Sequence, residues 1–195
     1  MHEIQKTTAL PQQFELGTKS GNHRLGLFKQ RFPVFPQTTV WGYVTIKRLP
    51  CDPQDVVCDI GCGKGRLVCW FARQPVARVI GIDLDPELTA AAETNLQHLR
   101  QRQAKVEIRT EDATASDFDD VTVFVMNNPF GADVMNAVLE SIRSSLVRSP
   151  RRIRLAYITP VQAHVVDQAD FLELVEEFPY IYDNTQQSAR IYATR

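Results

Sequence analysis

The sequence contains no apolar run approaching the roughly 20 residues that a membrane-spanning helix requires,. It opens on Met1-His2-Glu3-Ile4-Gln5-Lys6, which lacks the apolar core of a signal peptide,. A cytoplasmic location is the resulting expectation. There is no run of Lys or Arg, which argues against nucleic acid as a partner,. The four cysteines (Cys51, Cys58, Cys62, Cys69) form no CxxC pair and have no second group at zinc-ligand spacing,. Reduced thiols packed as small hydrophobes are therefore expected, with no metal site. The four histidines (His2, His23, His98, His164) fit no relay or metal spacing, and internal repeats and low-complexity stretches are absent. What remains is 195 residues, 44% apolar and 23% charged, enough for one domain with a substantial core,. The net charge of −1 is unevenly spread: residues 1–50 carry seven Lys/Arg against two Glu, the remainder 15 against 21.

Two regions are expected, an N-terminal arm with a cap helix over residues 1–50 and a main domain over 51–195. Glycines and prolines interrupt residues 1–37, but Phe28, Phe32 and Phe35 are too many aromatics for a free tail. Thr38-Thr39 reads as the cap of a helix that carries Trp41 and ends before Pro50,. From residue 56, buried-strand patterns alternate with helical ones. Strands are expected at Val56–Ile60, Val79–Asp83, Val106–Arg109, Val121–Met126 and Ile153–Ile158. Helical spacing follows at Pro86 to about Arg102, at Val134 to Leu146, and at Phe171, Leu172, Leu174, Val175 and Phe178. Two short alternating stretches around Tyr180 and Arg190, joined through Asp183-Asn184, read as a closing antiparallel hairpin,. This order implies an α/β, doubly wound, mostly parallel sheet covered on both faces.

The chemistry gathers first at Asp59-Ile60-Gly61-Cys62-Gly63-Lys64-Gly65, a glycine turn between a buried strand and an apolar helix face at Leu67, Val68, Trp70 and Phe71. Such a turn leaves backbone N–H groups at a strand's carboxyl end, where open α/β sheets bind ligands. A dinucleotide fingerprint would need its third glycine at position 66, which is Arg66,. The spacing here is instead Asp-x-Gly-x-Gly-x-Gly, and a carboxylate before the first glycine suits a cationic ligand group.

This pattern resembles the first motif of the class I S-adenosylmethionine (SAM) dependent methyltransferases. The resemblance implies a seven-stranded sheet with a C-terminal antiparallel hairpin, SAM as cofactor and S-adenosylhomocysteine (SAH) as its product. Asp83, 22 positions after Gly61, ends the second strand, where a carboxylate accepts ribose hydroxyls,. Asp112-Ala113 matches the family's adenine-binding position after the third strand. By resemblance the cofactor set is Asp59, Gly61, Cys62, Gly63, Gly65, Asp83, Leu84, Asp112, Ala113 and Asn127.

Asn127-Asn128-Pro129-Phe130-Gly131 falls where the family places its catalytic loop. It resembles the Asn/Asp-Pro-Pro-Tyr/Phe loop of amino-directed methyltransferases, except that Asn128 replaces the first proline. It also partly resembles the Asn-Asn-Phe-Ala-Phe-Gly run of non-SET histone lysine methyltransferases. From Cys51 onward the chain is similar to short bacterial proteins with Asp-Ile-Gly-Cys-Gly-Lys-Gly-Arg and Asn-Pro-Phe-Gly motifs. The implied catalytic set is Asn127, Asn128, Pro129 and Phe130, with carbonyls orienting a nitrogen acceptor and Phe130 packing on it. The expected acceptor is a protein lysine, or an amino group of a small molecule or base. O-methylation of a small molecule and a non-catalytic SAM-binding module are the alternatives. Oligomeric state is unreadable.

Overall fold

A computed structural model describes residues 47–182 and 185–195. The arm and most of the expected cap helix lie outside the described residues; Lys47 and Arg48 are its helical end. The elements run in order β1 (Val56–Ile60), α1 (Arg66–Phe71), β2 (Arg78–Asp83), α2 (Pro86–Gln97), β3 (Lys105–Thr110), β4 (Val123–Asn127), α3 (Ala132–Arg148), β5 (Arg154–Ile158), α4 (Ala163–Asp167), β6 (Leu172–Tyr182) and β7 (Thr185–Thr194). The strands form one sheet in the order β3-β2-β1-β4-β5-β7-β6. All pairings among β1 to β5 are parallel, and β7 runs antiparallel to both β5 and β6.

Strand parity divides the core. Ile60, Ile82, Phe124, Met126 and Tyr157 face one side, against Met135, Val138 and Ile142 of α3. Val57, Val79, Val123, Val125 and Ile158 face the other, against Val68 and Phe71 of α1. A parallel sheet with helices on both faces buries its strands on both sides, which is why these strands read as near-continuous apolar runs. In α3 it is Met135 that meets the core, while Val134 is exposed.

Two elements differ from the sequence expectation. Residues 171–178 are not a helix, because β6 begins at Leu172. A register shift between Leu174 and Glu176 inserts Val175 as an extra residue. Leu172 therefore faces the α3 side, whereas Phe178 and Tyr180 face the α1 side. A bulge that switches parity breaks the two-residue period, and the apolar positions then imitate helical spacing. The second difference is α2, which ends at Gln97 and not near Arg102; the chain reverses beyond it through Gln101 at φ 60°.

The return from α3 into β5 is tied down by Arg151. Its guanidinium donates to the carbonyls of Phe118 (2.5 Å), Val121 (2.7 Å) and Ser149 (2.8 Å), and to Ser145 Oγ (3.0 Å). On truncation the Val121 and Ser149 carbonyls would lose this donor, while the Phe118 carbonyl would keep only the Val121 N–H bond at 3.0 Å. Arg151→Ala is expected to cost about 3 kcal/mol in urea denaturation.

Candidate cofactor crevice and acceptor loop

The strand order reverses between β1 and β4, so a crevice opens at their carboxyl ends,. The tips of β4, β1, β2 and β3 line that edge in sequence, across about 14 Å at ordinary strand spacing.

The glycine turn is fastened to the neighbouring tip. Gly61 and Cys62 both donate N–H bonds to the Ile82 carbonyl, at 2.8 and 2.9 Å. Gly63 N–H donates to Asp83 Oδ2 at 2.8 Å, and Asp85 N–H to Asp83 Oδ1 at 3.0 Å. Asp83 thus holds the turn in shape while each oxygen keeps acceptor capacity to spare. Asp85, not Asp83, caps α2 through the Glu87 and Leu88 N–H groups. Leu84, immediately after Asp83, is 71% exposed, an apolar side chain left in solvent at the rim of the crevice.

The three turn glycines have φ values of 74°, 53° and 73°. A Cβ on Gly61 would lie 2.5 Å from Pro129 Cβ, whereas one on Gly63 would meet nothing within 4 Å among the described residues. Gly61 is small because Pro129 of the asparagine loop presses on it, and Gly63 faces open space.

Asp59 lies beneath the turn with 2% of its surface exposed. Burial, reinforced by the nearby Asp83 charge, pushes its carboxyl up to about 7, against the opposing pull of the Val68 N–H bond. Cys62 turns its thiol into the core beside β2, so the turn offers backbone and not sulfur. Asp112 is exposed and spends Oδ1 on the N–H and hydroxyl of Thr114, both at 2.8 Å, leaving Oδ2 outward; Ala113 is buried.

Asn127 is the last residue of β4 and half-buried, next to the glycine turn's strand. Asn128 follows at φ 45°, which asparagine tolerates better than most residues,. Pro129 abuts Gly61, and Phe130 packs partly against the α3-side core. Glycine turn and asparagine loop are thus in direct contact, although 66 residues separate Gly61 from Asn127.

Tyr157 and Thr159 belong to this region, and neither is in the site set expected from sequence. The Tyr157 hydroxyl accepts the Gln162 N–H at 3.1 Å and lies 3.5 Å from Asn128 Oδ1. Tyr157 reads as sheet packing because its ring is buried, and only its place next to Met126 in β4 would have flagged it. Thr159, at φ 51°, is a β-branched residue in the left-handed region, a conformation held against strain,.

Residues 57–149 match the family described as a methyltransferase domain. The chain is 31% identical over 114 residues to the ribosomal protein L11 methyltransferase of Burkholderia thailandensis, covering 58% of this chain and 35% of that protein. It is 31% identical over 101 residues to the H3 lysine-79 specific histone-lysine N-methyltransferase of Dictyostelium discoideum, covering 45% of this chain and 6% of that protein. The chain therefore spans about a third or less of these relatives. Among solved structures, magnesium protoporphyrin IX methyltransferase from Synechocystis PCC 6803 with bound SAM superposes with a TM-score of 0.62 at 12% identity, covering 97% of this chain and all of that one. The tRNA methyltransferase TrmK of B. subtilis superposes with a TM-score of 0.61 at 13% identity, covering 78% and 64%. These superpositions show the fold. The tRNA enzyme also removes the force of the argument against nucleic acid, since a polyanion-directed methyltransferase shares the same frame.

Proposed function

We propose, for a chain of class I SAM-dependent methyltransferase fold that carries a methyltransferase domain over residues 57–149, that it transfers the methyl group of SAM to a nitrogen acceptor. The observation that carries this reading is the contact of Pro129 with Gly61. It holds the asparagine loop against the turn that would bind the cofactor, which supports a role for the loop in presenting the acceptor. SAM supplies an electrophilic methyl on a sulfonium that is already a good leaving group.

The turn and crevice fit this cofactor. The open space over Gly63 would take its amino-acid tail, the spare acceptor capacity of Asp83 its ribose, and Leu84, Asp112 and Ala113 its adenine. The negative charge of half-buried Asp83, joined by that of Asp59 when it ionises, favours a cationic ligand above the turn,. At the other side of the contact, Asn127 would accept N–H bonds from the substrate amine and aim its lone pair along the transfer axis. Little acid–base work is required of the protein, because orientation and exclusion of water carry most of the catalysis.

Calorimetric titration with SAH and transfer of labelled methyl from SAM into a fractionated cell extract test this reading together. Asn127→Ala is expected to keep SAH affinity within about twofold and to lower turnover at least about tenfold. Undiminished transfer by that variant would remove the loop from catalysis. Absence of transfer by the unaltered protein, with SAH still bound, would leave a binding module.

A further inference from the structure

The cofactor crevice occupies one flank of the asparagine loop, toward β1 and β2. On the other flank, toward β5 and the β6–β7 hairpin, lies a separate groove of about 520 Å³. The geometry points to this groove as the acceptor's entry path, and its chemistry to a polypeptide as the acceptor, delivering a side-chain amine to Asn127. This rests on the methyltransferase reading above and names its substrate class.

Position comes first. Ile158 is the direct parallel partner of Asn127, so Thr159 leaves β5 about 5 Å to the side of Asn128 at ordinary strand spacing,. Thr159 and Pro160 form one wall of the groove, and Pro179, Gln186 and Gln187 of the hairpin form the other. The wall at β5 is braced from both sides. Thr159 Oγ1 is 2.6 Å from the Tyr180 hydroxyl, Thr159 N–H donates to the Ser188 carbonyl at 3.1 Å, and Tyr157 bridges toward Asn128. A chain lying in this groove would pass Thr159, the residue after the strand partner of Asn127, without crossing the cofactor crevice.

Lining chemistry then separates the acceptor classes. Gln186, Gln187, Thr159 and Ser188 each bring both hydrogen-bond donors and acceptors, which matches the alternating N–H and C=O of a peptide,. Pro160, Val161 (61% exposed) and Pro179 offer apolar contact to its side chains. A nucleic acid strand needs Lys or Arg for its phosphates, and the groove's described lining contains neither. Its single charged member is Glu177. Among the described residues the nearby Arg190 is already engaged, with Asp167 at 2.7 Å and Glu177 at 3.1 Å.

In the reaction, a lysine-type ammonium first gives one proton to solvent. The neutral amine's lone pair then forms the C–N bond, the methyl C–S bond breaks with its electrons passing to sulfur, and the nitrogen's extra proton leaves to solvent. The products are a methylated amine and neutral SAH.

The test uses the full chain, labelled SAM and two probes, a degenerate lysine-containing peptide library and bulk tRNA. Label is expected in the peptides and not in the tRNA. Gln186→Trp, at an exposed hairpin position, should raise KM for the peptides at least tenfold with SAH affinity unchanged. Glu177→Gln, a milder change, should raise it severalfold, with a circular dichroism spectrum and SAH affinity like those of the parent. Label in tRNA alone, no label in the peptides, or parental KM in both variants overturns the assignment. The Asn127→Ala comparison in fractionated extract reports on methyl transfer independently, so a methyltransferase with a different acceptor would be distinguished from no methyltransferase.

Discussion

Gly61→Ala is expected to lose about 3 kcal/mol of stability and about 100-fold in SAH affinity, whereas Gly63→Ala should lose about 1 kcal/mol of stability with a comparable fall in affinity. Both residues sit at positive φ, which costs an L-residue about 1–2 kcal/mol,. Only at Gly61 does a new Cβ collide, at 2.5 Å from Pro129 Cβ. Proline is the stiffest partner such a collision could find, since its ring fixes φ and cannot rotate away. Relief must come from moving the turn or the asparagine loop, so cofactor affinity and turnover should fall together. At Gly63 nothing described stands within 4 Å, and the added methyl intrudes only on the space assigned to the cofactor. Urea denaturation and calorimetry on the two variants check the contrast. Pairing Gly61→Ala with Pro129→Gly should recover about 1 kcal/mol as coupling between the sites. Equal stability losses at Gly61 and Gly63, with no coupling to Pro129, would remove the turn–loop contact from the account.

The residues that meet at the carboxyl edge could be placed from sequence because each follows a strand that is itself easy to read. Val56–Ile60, Val79–Asp83 and Val121–Met126 are short, β-branched and bounded by turn residues, and the alternation with helices leaves one edge for everything after them,. The hairpin was legible as an antiparallel pair but not along its length. Strand β6 hides its period at the bulge around Val175, and no pattern rule tells that from a helix face,. Tyr157 and Thr159 were hidden for a different reason. Their importance comes from standing beside Asn127 in the sheet, a tertiary neighbourhood that a buried tyrosine and a lone threonine do not announce. Asp59 was visible as a carboxylate before the turn, but its depth was not: only 2% of its surface is exposed.

That depth gives the second large effect, a pH dependence opposite to that of a salt-bridged carboxylate. Folding raises the Asp59 carboxyl from 3.8 to about 7, so between these values the folded chain binds more protons than the unfolded one. Stability therefore falls as pH rises through that window, and the full cost, about 4 kcal/mol for a shift of this size, is present above it. Asn at this position keeps an oxygen for the Val68 N–H and carries no charge. Asp59→Asn should match the parent near pH 4 and exceed it by as much as about 4 kcal/mol near pH 8. A cationic ligand above the turn stabilises the ionised carboxylate, so SAM binding by the parent should release a proton and tighten as pH rises toward 8. SAH, without the sulfonium charge, should show less of this dependence, and Asp59→Asn should abolish it for both. A glycine turn that binds SAM equally well at pH 6 and pH 8, with Asp59→Asn no more stable than the parent at pH 8, would mean that the buried carboxylate neither strains the fold nor draws the cofactor.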